Sequence, residues 1–339
     1  MRILYNRVMR RIIILLCIFA IFCPFSFALP QANGFPFVLY NSVTGYSYGG
    51  IGKFSGLSGK NDSLTFLGYL IENGGSFINF VYARPLAFEL EGNFGLAAKE
   101  RFYGIGGSPA NTYSTFDNEL KQLRLKYFFP VNRSLYFQPF LYYAENNFKN
   151  TNAGNPPLSA GLAENTGRYY LAGLKLAADS RDPADNPSSG ALVAGEFDQG
   201  NGFAKVVIDA RKYLPLSGGR VLASRLNLVQ ALGDSIPFYE YALLGGRDSL
   251  RGYAYYRFMD KSSALINLEY RVPVWSWLGL VIFYDAGKTA PSILALGTND
   301  WHSNLGLGIR GFLGDLVVRG DFGVGSEGLQ VNFFYGQAF

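Results

Sequence analysis

Leu244-Gly245-Gly246-Arg247-Asp248-Ser249-Leu250-Arg251-Gly252-Tyr253, running on through Tyr255, Tyr256 and Arg257 to Asp260, separates two amphipathic strand patterns. The stretch is too long and too glycine-rich for a hairpin turn. Loops of this length inside a compact fold are usually functional or disordered, and the aromatics between Leu250 and Phe258 argue against disorder. It reads as a loop folded back into a cavity, with Arg251 at its tip and Gly252 letting the backbone turn tightly beside it.

The flanking sequence says what encloses the cavity. Apolar and polar residues alternate almost end to end. In Gln122-Leu123-Arg124-Leu125-Lys126-Tyr127 the polar set is Gln122, Arg124 and Lys126. Asn267, Glu269 and Arg271 oppose Ile266, Leu268, Tyr270 and Val272, and Arg319 and Asp321 oppose Val318, Phe322 and Val324. A charged face opposed to an apolar one suits a half-buried soluble sheet, or a membrane barrel with charges in its lumen and apolar residues in lipid.

The N-terminus favours the second. Arg2, Arg7, Arg10 and Arg11 precede the apolar run Ile12 to Phe22, and Ser26-Phe27-Ala28 supplies small residues at a cleavage site. Residues 1–28 read as a secretory signal peptide, cleaved after Ala28, with the barrel over 29–339. Loss of its four arginines lowers the formal charge from +5 to +1, so the basic balance no longer supports a nucleic-acid partner. Cys17 and Cys23 leave with it, and with them any disulfide or Cys metal site. One histidine, His302, leaves no material for a His triad or a zinc site. No metal, cofactor or enzymatic activity is expected. No later apolar run is long enough for a membrane helix, and the Tyr/Phe/Gly-rich remainder suits a transmembrane antiparallel β-barrel in the bacterial outer membrane.

Sixteen strands are predicted, at 35–42, 45–56, 62–72, 75–83, 87–98, 117–129, 134–147, 167–178, 190–199, 203–214, 220–232, 261–273, 278–286, 302–312, 315–324 and 328–339. An even number suits a closed single-chain barrel. With both termini periplasmic, the long connections 99–116, 148–166, 233–260 and 287–301 are extracellular. Tight turns fall on the other side, at Arg84-Pro85-Leu86, Phe129-Pro130-Val131-Asn132 and Val272-Pro273-Val274. Too few residues separate the cleavage site from the first strand to hold a soluble domain. A sixteen-stranded interior is wide enough for water, and 233–260 is the expected filler. Glu89 and Glu91 read as lumen wall balanced by Arg124 and Lys126, not as an acid–base pair. The short first strand with its Pro36 is expected to meet the last one at a weak seam, since proline cannot donate to a ladder.

Several stretches carry a family resemblance. Gly245 to Tyr253, with its Leu250-Arg251-Gly252-Tyr253 core, resembles the sixth extracellular loop of the BamA/TamA-type outer-membrane assembly superfamily (bacterial surface antigens), Leu250 replacing the family's Val. Arg101-Phe102-Tyr103-Gly104-Ile105-Gly106 looks like its Phe-Tyr-Gly-Ile-Gly segment. Asp179-Ser180-Arg181-Asp182-Pro183, with Pro187-Ser188-Ser189-Gly190, resembles that family's Asp-Thr-Arg-Asp…Pro-Thr-x-Gly turn. Asn267 to Pro273 and Phe283-Tyr284-Asp285-Ala286-Gly287 look like its next two strands.

Parity alone leaves Arg251 open between a solvated loop charge and a partner for Asp285 and Glu269, the inward acids of adjacent predicted strands. The resemblance implies the second, a clasp of the loop onto Glu269 and Asp285. The alternation that includes Tyr335 and ends at Phe339 is similar to the C-terminal signal read during outer-membrane insertion. The resemblance further implies insertion or translocation of proteins or lipids, with client outer-membrane proteins or lipids, surrounding outer-membrane lipid and periplasmic proteins as partners. A diffusion channel narrowed by the loop, or a barrel serving a separate soluble enzyme, are the alternatives.

Overall fold

The computed structural model describes residues 31–58, 61–109, 111–152, 154, 156, 167–313 and 316–339. The predicted signal peptide, residues 1–28, lies outside the described residues.

Sixteen antiparallel strands close into a barrel. They are β1 (Gln31–Asn41), β2 (Gly45–Ser55), β3 (Ser63–Ile71), β4 (Ser76–Arg84), β5 (Phe88–Phe102), β6 (Ser114–Tyr127), β7 (Leu135–Asn152) and β8 (Gly167–Asp179) in the first half. The second half is β9 (Gly190–Gly200), β10 (Phe203–Pro215), β11 (Val221–Gly233), β12 (Ser262–Trp275), β13 (Leu278–Ala290), β14 (His302–Leu313), β15 (Leu316–Gly325) and β16 (Gly328–Tyr335). Each strand pairs with its neighbours in sequence, and β1 meets β16 to close the ring. A two-residue bridge, Phe129–Pro130, extends the β7 hairpin.

The alternation becomes radial. On β14, Asn304 and Arg310 are buried while Leu305 is 60% and Leu307 62% exposed, so the exposed apolar residues form the lipid face. Aromatics gather where that face ends. Phe129 stacks on Phe137 with ring centres 4.6 Å apart, and Trp275 on Trp277 at 5.4 Å, the girdle expected at a membrane–water boundary.

Three expectations are corrected. Val272-Pro273-Val274 belongs to β12, and the turn comes after Trp275. A register irregularity between Pro273 and Trp275 accommodates the proline, which cannot donate to the ladder. The first strand is not short: β1 has eleven residues and pairs with β2 along all of them. The last strand stops at Tyr335; the Gly336 N–H still donates to the Val317 carbonyl at 2.7 Å, and residues 337–339 leave the ladder. Gly336, at φ 82°, makes that exit in the left-handed region that glycine adopts freely.

The connection 234–261 does not hang outside the barrel. A short hairpin, Ala242–Leu244 with Phe258–Asp260, sits within it, and its side chains contact opposite walls. At one side Phe238 packs edge-on against Phe116 of β6, ring centres 5.5 Å apart, beside Phe102 and Phe148. Glu240 accepts hydrogen bonds from Tyr169 of β8 (3.0 Å) and Lys205 of β10 (2.9 Å). On the far side Leu244, Leu250, Tyr253 and Phe258 close over Leu265 of β12.

Candidate functional site

The centre of this packing is Arg251, one of the largest fully buried side chains of the protein. Strand pleating sets its surroundings. Glu269 on β12, Asp285 on β13 and Asp321 on β15 all occupy inward positions and are all buried. Arg251 donates from Nε to Asp285 Oδ2 (3.0 Å), from Nη2 to Asp285 Oδ1 (2.7 Å) and from Nη1 to Glu269 Oε1 (2.5 Å). Its backbone N–H also donates to Asp285 Oδ2, at 3.1 Å. The guanidinium carbon lies 3.6 Å from the ring centre of Phe283, a cation–π contact in a desolvated setting.

The charges form a network rather than a pair. Glu269 accepts also from Arg271 Nε (2.8 Å) and Arg310 Nη2 (3.3 Å), and Arg310 Nη1 donates to Asp321 (2.7 Å). Asp285 takes further bonds from Asn267 (2.8 Å) and Asn304 (2.9 Å), and Asn332 of β16 donates to the Arg251 carbonyl at 3.3 Å. A second loop residue, Asp248, receives Arg319 of β15. Burying such ions is costly unless they are paired and hydrogen-bonded, and here the buried Arg251, Arg271, Arg310 and Arg319 stand against the buried Glu269, Asp285 and Asp321 and the exposed Asp248. The arrangement holds a loop against a wall.

Gly252 serves the site in another way than expected. Its φ is not in the left-handed region, so the turn does not require glycine. Space does: a Cβ there would lie 2.5 Å from Asn304 Cβ and 2.8 Å from the Gly325 nitrogen. Gly323 complements it, since a Cβ on Gly323 would lie 2.8 Å from the Arg251 carbonyl carbon and the Gly252 nitrogen. Loop backbone and wall backbone touch directly. Tyr253, also buried, donates from its hydroxyl to the Ser303 carbonyl at 3.1 Å. Leu250 is wholly buried beside it.

The remaining quoted stretches converge on the same loop or on the turn end. The Gly106 N–H donates to the Met259 carbonyl at 2.7 Å, and His302 stacks on Phe258 with ring centres 3.7 Å apart. Arg257 donates to Glu327 (2.5 Å) and to Asn111 (2.9 Å). At the turn end, Arg181 forks onto Asp179 (2.9 and 2.8 Å). Lys126 bonds Glu89 at 2.7 Å and Glu91 at 2.5 Å, the balanced lumen wall read from the sequence.

Phe339 does not continue the last strand. It packs inside the barrel against Tyr213, Val221 and Ala223, and its carbonyl accepts from Arg271 at 3.2 Å. Tyr335 remains on β16. Sequence reasoning missed that Arg271 links the clasp to the chain terminus, and that Arg310 and Asp321 complete the network. Their inward parity was visible, but parity names no partner.

The Omp85 superfamily domain matches residues 57–339. No curated protein matches the chain. Among solved structures, BamA from Haemophilus ducreyi lacking POTRA domains 1-3 is similar at 15% identity and a TM-score of 0.59, covering 90% of this chain and 70% of that one. CdiB from Escherichia coli is similar at 13% identity and a TM-score of 0.63, covering 91% and 63%. CdiB from Acinetobacter baumannii gives 14% and 0.55, covering 91% and 60%. At these identities the likeness concerns the barrel fold. The chain spans less than two thirds of the length of both CdiB proteins and about two thirds of that of the BamA chain.

Proposed function

This chain belongs to the Omp85 superfamily and is an outer-membrane β-barrel, and on that footing we propose that it takes part in inserting or translocating proteins or lipids, without catalytic chemistry of its own. The observation that carries the proposal is the seam. β1 and β16 share one residue pair, Asn41 opposite Asn332, whereas β1 pairs with β2 along its whole length. Around that pair, Asn41 Nδ2 donates to Asn332 Oδ1 (2.6 Å), the Ser42 N–H to the Val331 carbonyl (3.0 Å) and the Ser42 hydroxyl to Gln330 (2.7 Å). One residue pair and these few bonds close the barrel, against eleven residue pairs between β1 and β2, so the seam is its least paired junction. A parting seam exposes two strand edges to which a client strand adds by backbone pairing. Partners on this reading are client proteins or lipids of the outer membrane, with periplasmic proteins delivering them.

Asn41→Cys with Asn332→Cys tests it. Oxidation should lock the seam and stop delivery of clients to the outer membrane, and reduction should restore it, with each single variant as control. Full activity in the oxidised double variant would count against a lateral route.

A further inference from the structure

The connection between β13 and β14 crosses the outside of the barrel. Asn267 and Glu269 of β12 and Asp285 of β13 face the lumen and are buried, so by strand pleating Ala264, Ile266, Ala286, Lys288 and Ala290 face out. On β11, Leu228 and Gln230 share the parity of the exposed Leu222 and Leu226. Outward alanines should lie open, yet Ala264 and Ala290 are buried. Leu296 of the connection covers them, with Leu228 and Trp301 packed alongside.

Hydrogen bonds pin this strap, residues 291–301, to the outer wall. The Ile293 N–H donates to Gln230 Oε1 at 2.9 Å, an oxygen that also accepts from the Ser262 hydroxyl at 2.7 Å. Lys288 Nζ donates to the Asn299 carbonyl at 2.7 Å. The strap closes on itself where Trp301 Nε1 donates to the Gly297 carbonyl at 3.2 Å.

Its chemistry is divided. Ile293 to Leu296 is apolar, and Thr298 to Asp300 is polar. Leu296 seats the apolar half on the wall, while Leu294 beside it is 95% exposed. A single exposed leucine on a water-facing surface needs no explanation. This one stands at the margin of the lipid face. Cross-strand pairing puts the covered row of Leu228, Ala264 and Lys288 two residues from Leu226, Ile266 and Ala286. Two residues further on come the exposed Leu268, Tyr284 and Leu305, themselves paired in one row.

We infer that residues 291–301 form an interfacial anchor, with Ile293 and Leu294 among the acyl chains of the leaflet on the long-loop side and Thr298 to Asp300 in its headgroup layer. Continuity selects lipid as the occupant, because the exposed apolar pair extends a surface that lipid already covers, and transfer of apolar surface out of water is favourable. Lys288 fits the same boundary, since a lysine stem lies along apolar surface while its ammonium stays at the polar side. A second copy of the chain would need on the order of 800 Å² per partner for a stable contact, more than two side chains supply. The strands under the strap carry Glu269 and Asp285 on their inner face, so the wall that holds the inward loop is also the wall held at the membrane surface.

The test places a nitroxide at Leu294→Cys, at Leu305→Cys as the lipid-face standard and at Thr298→Cys as the polar-half standard. Each is made in the full chain with Cys17→Ser and Cys23→Ser, and reconstituted in phosphatidylcholine vesicles, with the heat-modifiable gel band as the check on folding. Relaxation of each label by oxygen, which concentrates in hydrocarbon, is compared with relaxation by a nickel chelate confined to water. The oxygen-to-nickel ratio at Leu294 is expected to be several-fold above that at Thr298 and close to that at Leu305. A ratio at Leu294 equal to a water-like value at Thr298 would overturn the anchor. A Thr298 ratio as high as that of Leu294 would overturn the division of the strap between acyl and headgroup layers. A Leu294 label shielded from both reagents, with spin–spin broadening that persists on dilution with lipid, would replace lipid by a second copy of the chain.

Discussion

Arg251 and Asp285 are joined three times over: the guanidinium forks onto both carboxylate oxygens at 3.0 and 2.7 Å, and the Arg251 N–H reaches the same carboxylate at 3.1 Å. A side chain and its own backbone thus share one acceptor, which fixes the position of the loop and its orientation together.

Removing either partner strands a buried charge, at a cost on the order of 3–5 kcal/mol. Arg251→Ala and Asp285→Ala should each raise protease sensitivity near Tyr253 and lower the temperature at which the folded band is lost on unboiled gels. The double variant should be little worse than either single one, because the residues act as a unit. Strictly additive losses would mean the loop is held elsewhere. Arg251→Lys should rescue poorly, since an ammonium lacks the planar fork.

The loop has a second anchor. Phe238 is buried among Phe102, Phe116 and Phe148, across the lumen from the clasp. Planar-bilayer recordings of the wild type should therefore show low, flickering conductance. Arg251→Ala alone should raise it modestly, and Arg251→Ala with Phe238→Ala should raise it further. A steady porin-sized conductance in the wild type would show that the loop does not obstruct the lumen.

Close backbone approach makes Gly252 and Gly323 intolerant of even one methyl. Overpacking a well-filled site typically costs about 1–3 kcal/mol, so Gly252→Ala and Gly323→Ala should each lower thermal stability by that order. Gly328→Ala is the contrasting control, because a Cβ there meets nothing within 4 Å, although its φ of 103° carries its own strain. If Gly252→Ala were as stable as wild type, the loop would have room to shift away from β14.

Phe339 fills a slot at the turn end of the lumen against Tyr213 and Val221. Phe339→Ala should loosen that end, by up to the roughly 3–5 kcal/mol of a buried Phe→Ala change. If Phe339 also acts as an insertion signal, the same variant should slow appearance of the folded barrel in the outer membrane. Phe339→Leu separates the two roles: it keeps much of the packing, so slow assembly with near-normal stability would point to recognition of the aromatic ring.

The inward and outward faces of nearly every strand were legible from local sequence, because pleating alone turns alternation into two faces and lipid tolerates only one kind of residue. Boundaries were not. The break at Gly336 depends on what Phe339 finds to pack on, and Pro273 stays in its strand because an irregular register absorbs the missing donor. Gly252 was chosen from the sequence for the wrong reason, since its neighbour across the gap, Asn304, is 52 residues away in the chain.

The sequence by itself determined a sixteen-stranded barrel with a long inward loop and identified Glu269 and Asp285 as inward-facing acids, since those follow from period-two patterning and loop length, while Arg251 as their partner came from the family resemblance. Only the tertiary structure decided how four arginines share four acids, that Arg271 ties the clasp to the chain terminus, and that the seam is held by the Asn41–Asn332 pair and the bonds of Ser42 to Gln330 and Val331. The reason is geometric. Curvature and closure bring together side chains from strands far apart in sequence, and their pairing energies come into play only after the ring has closed.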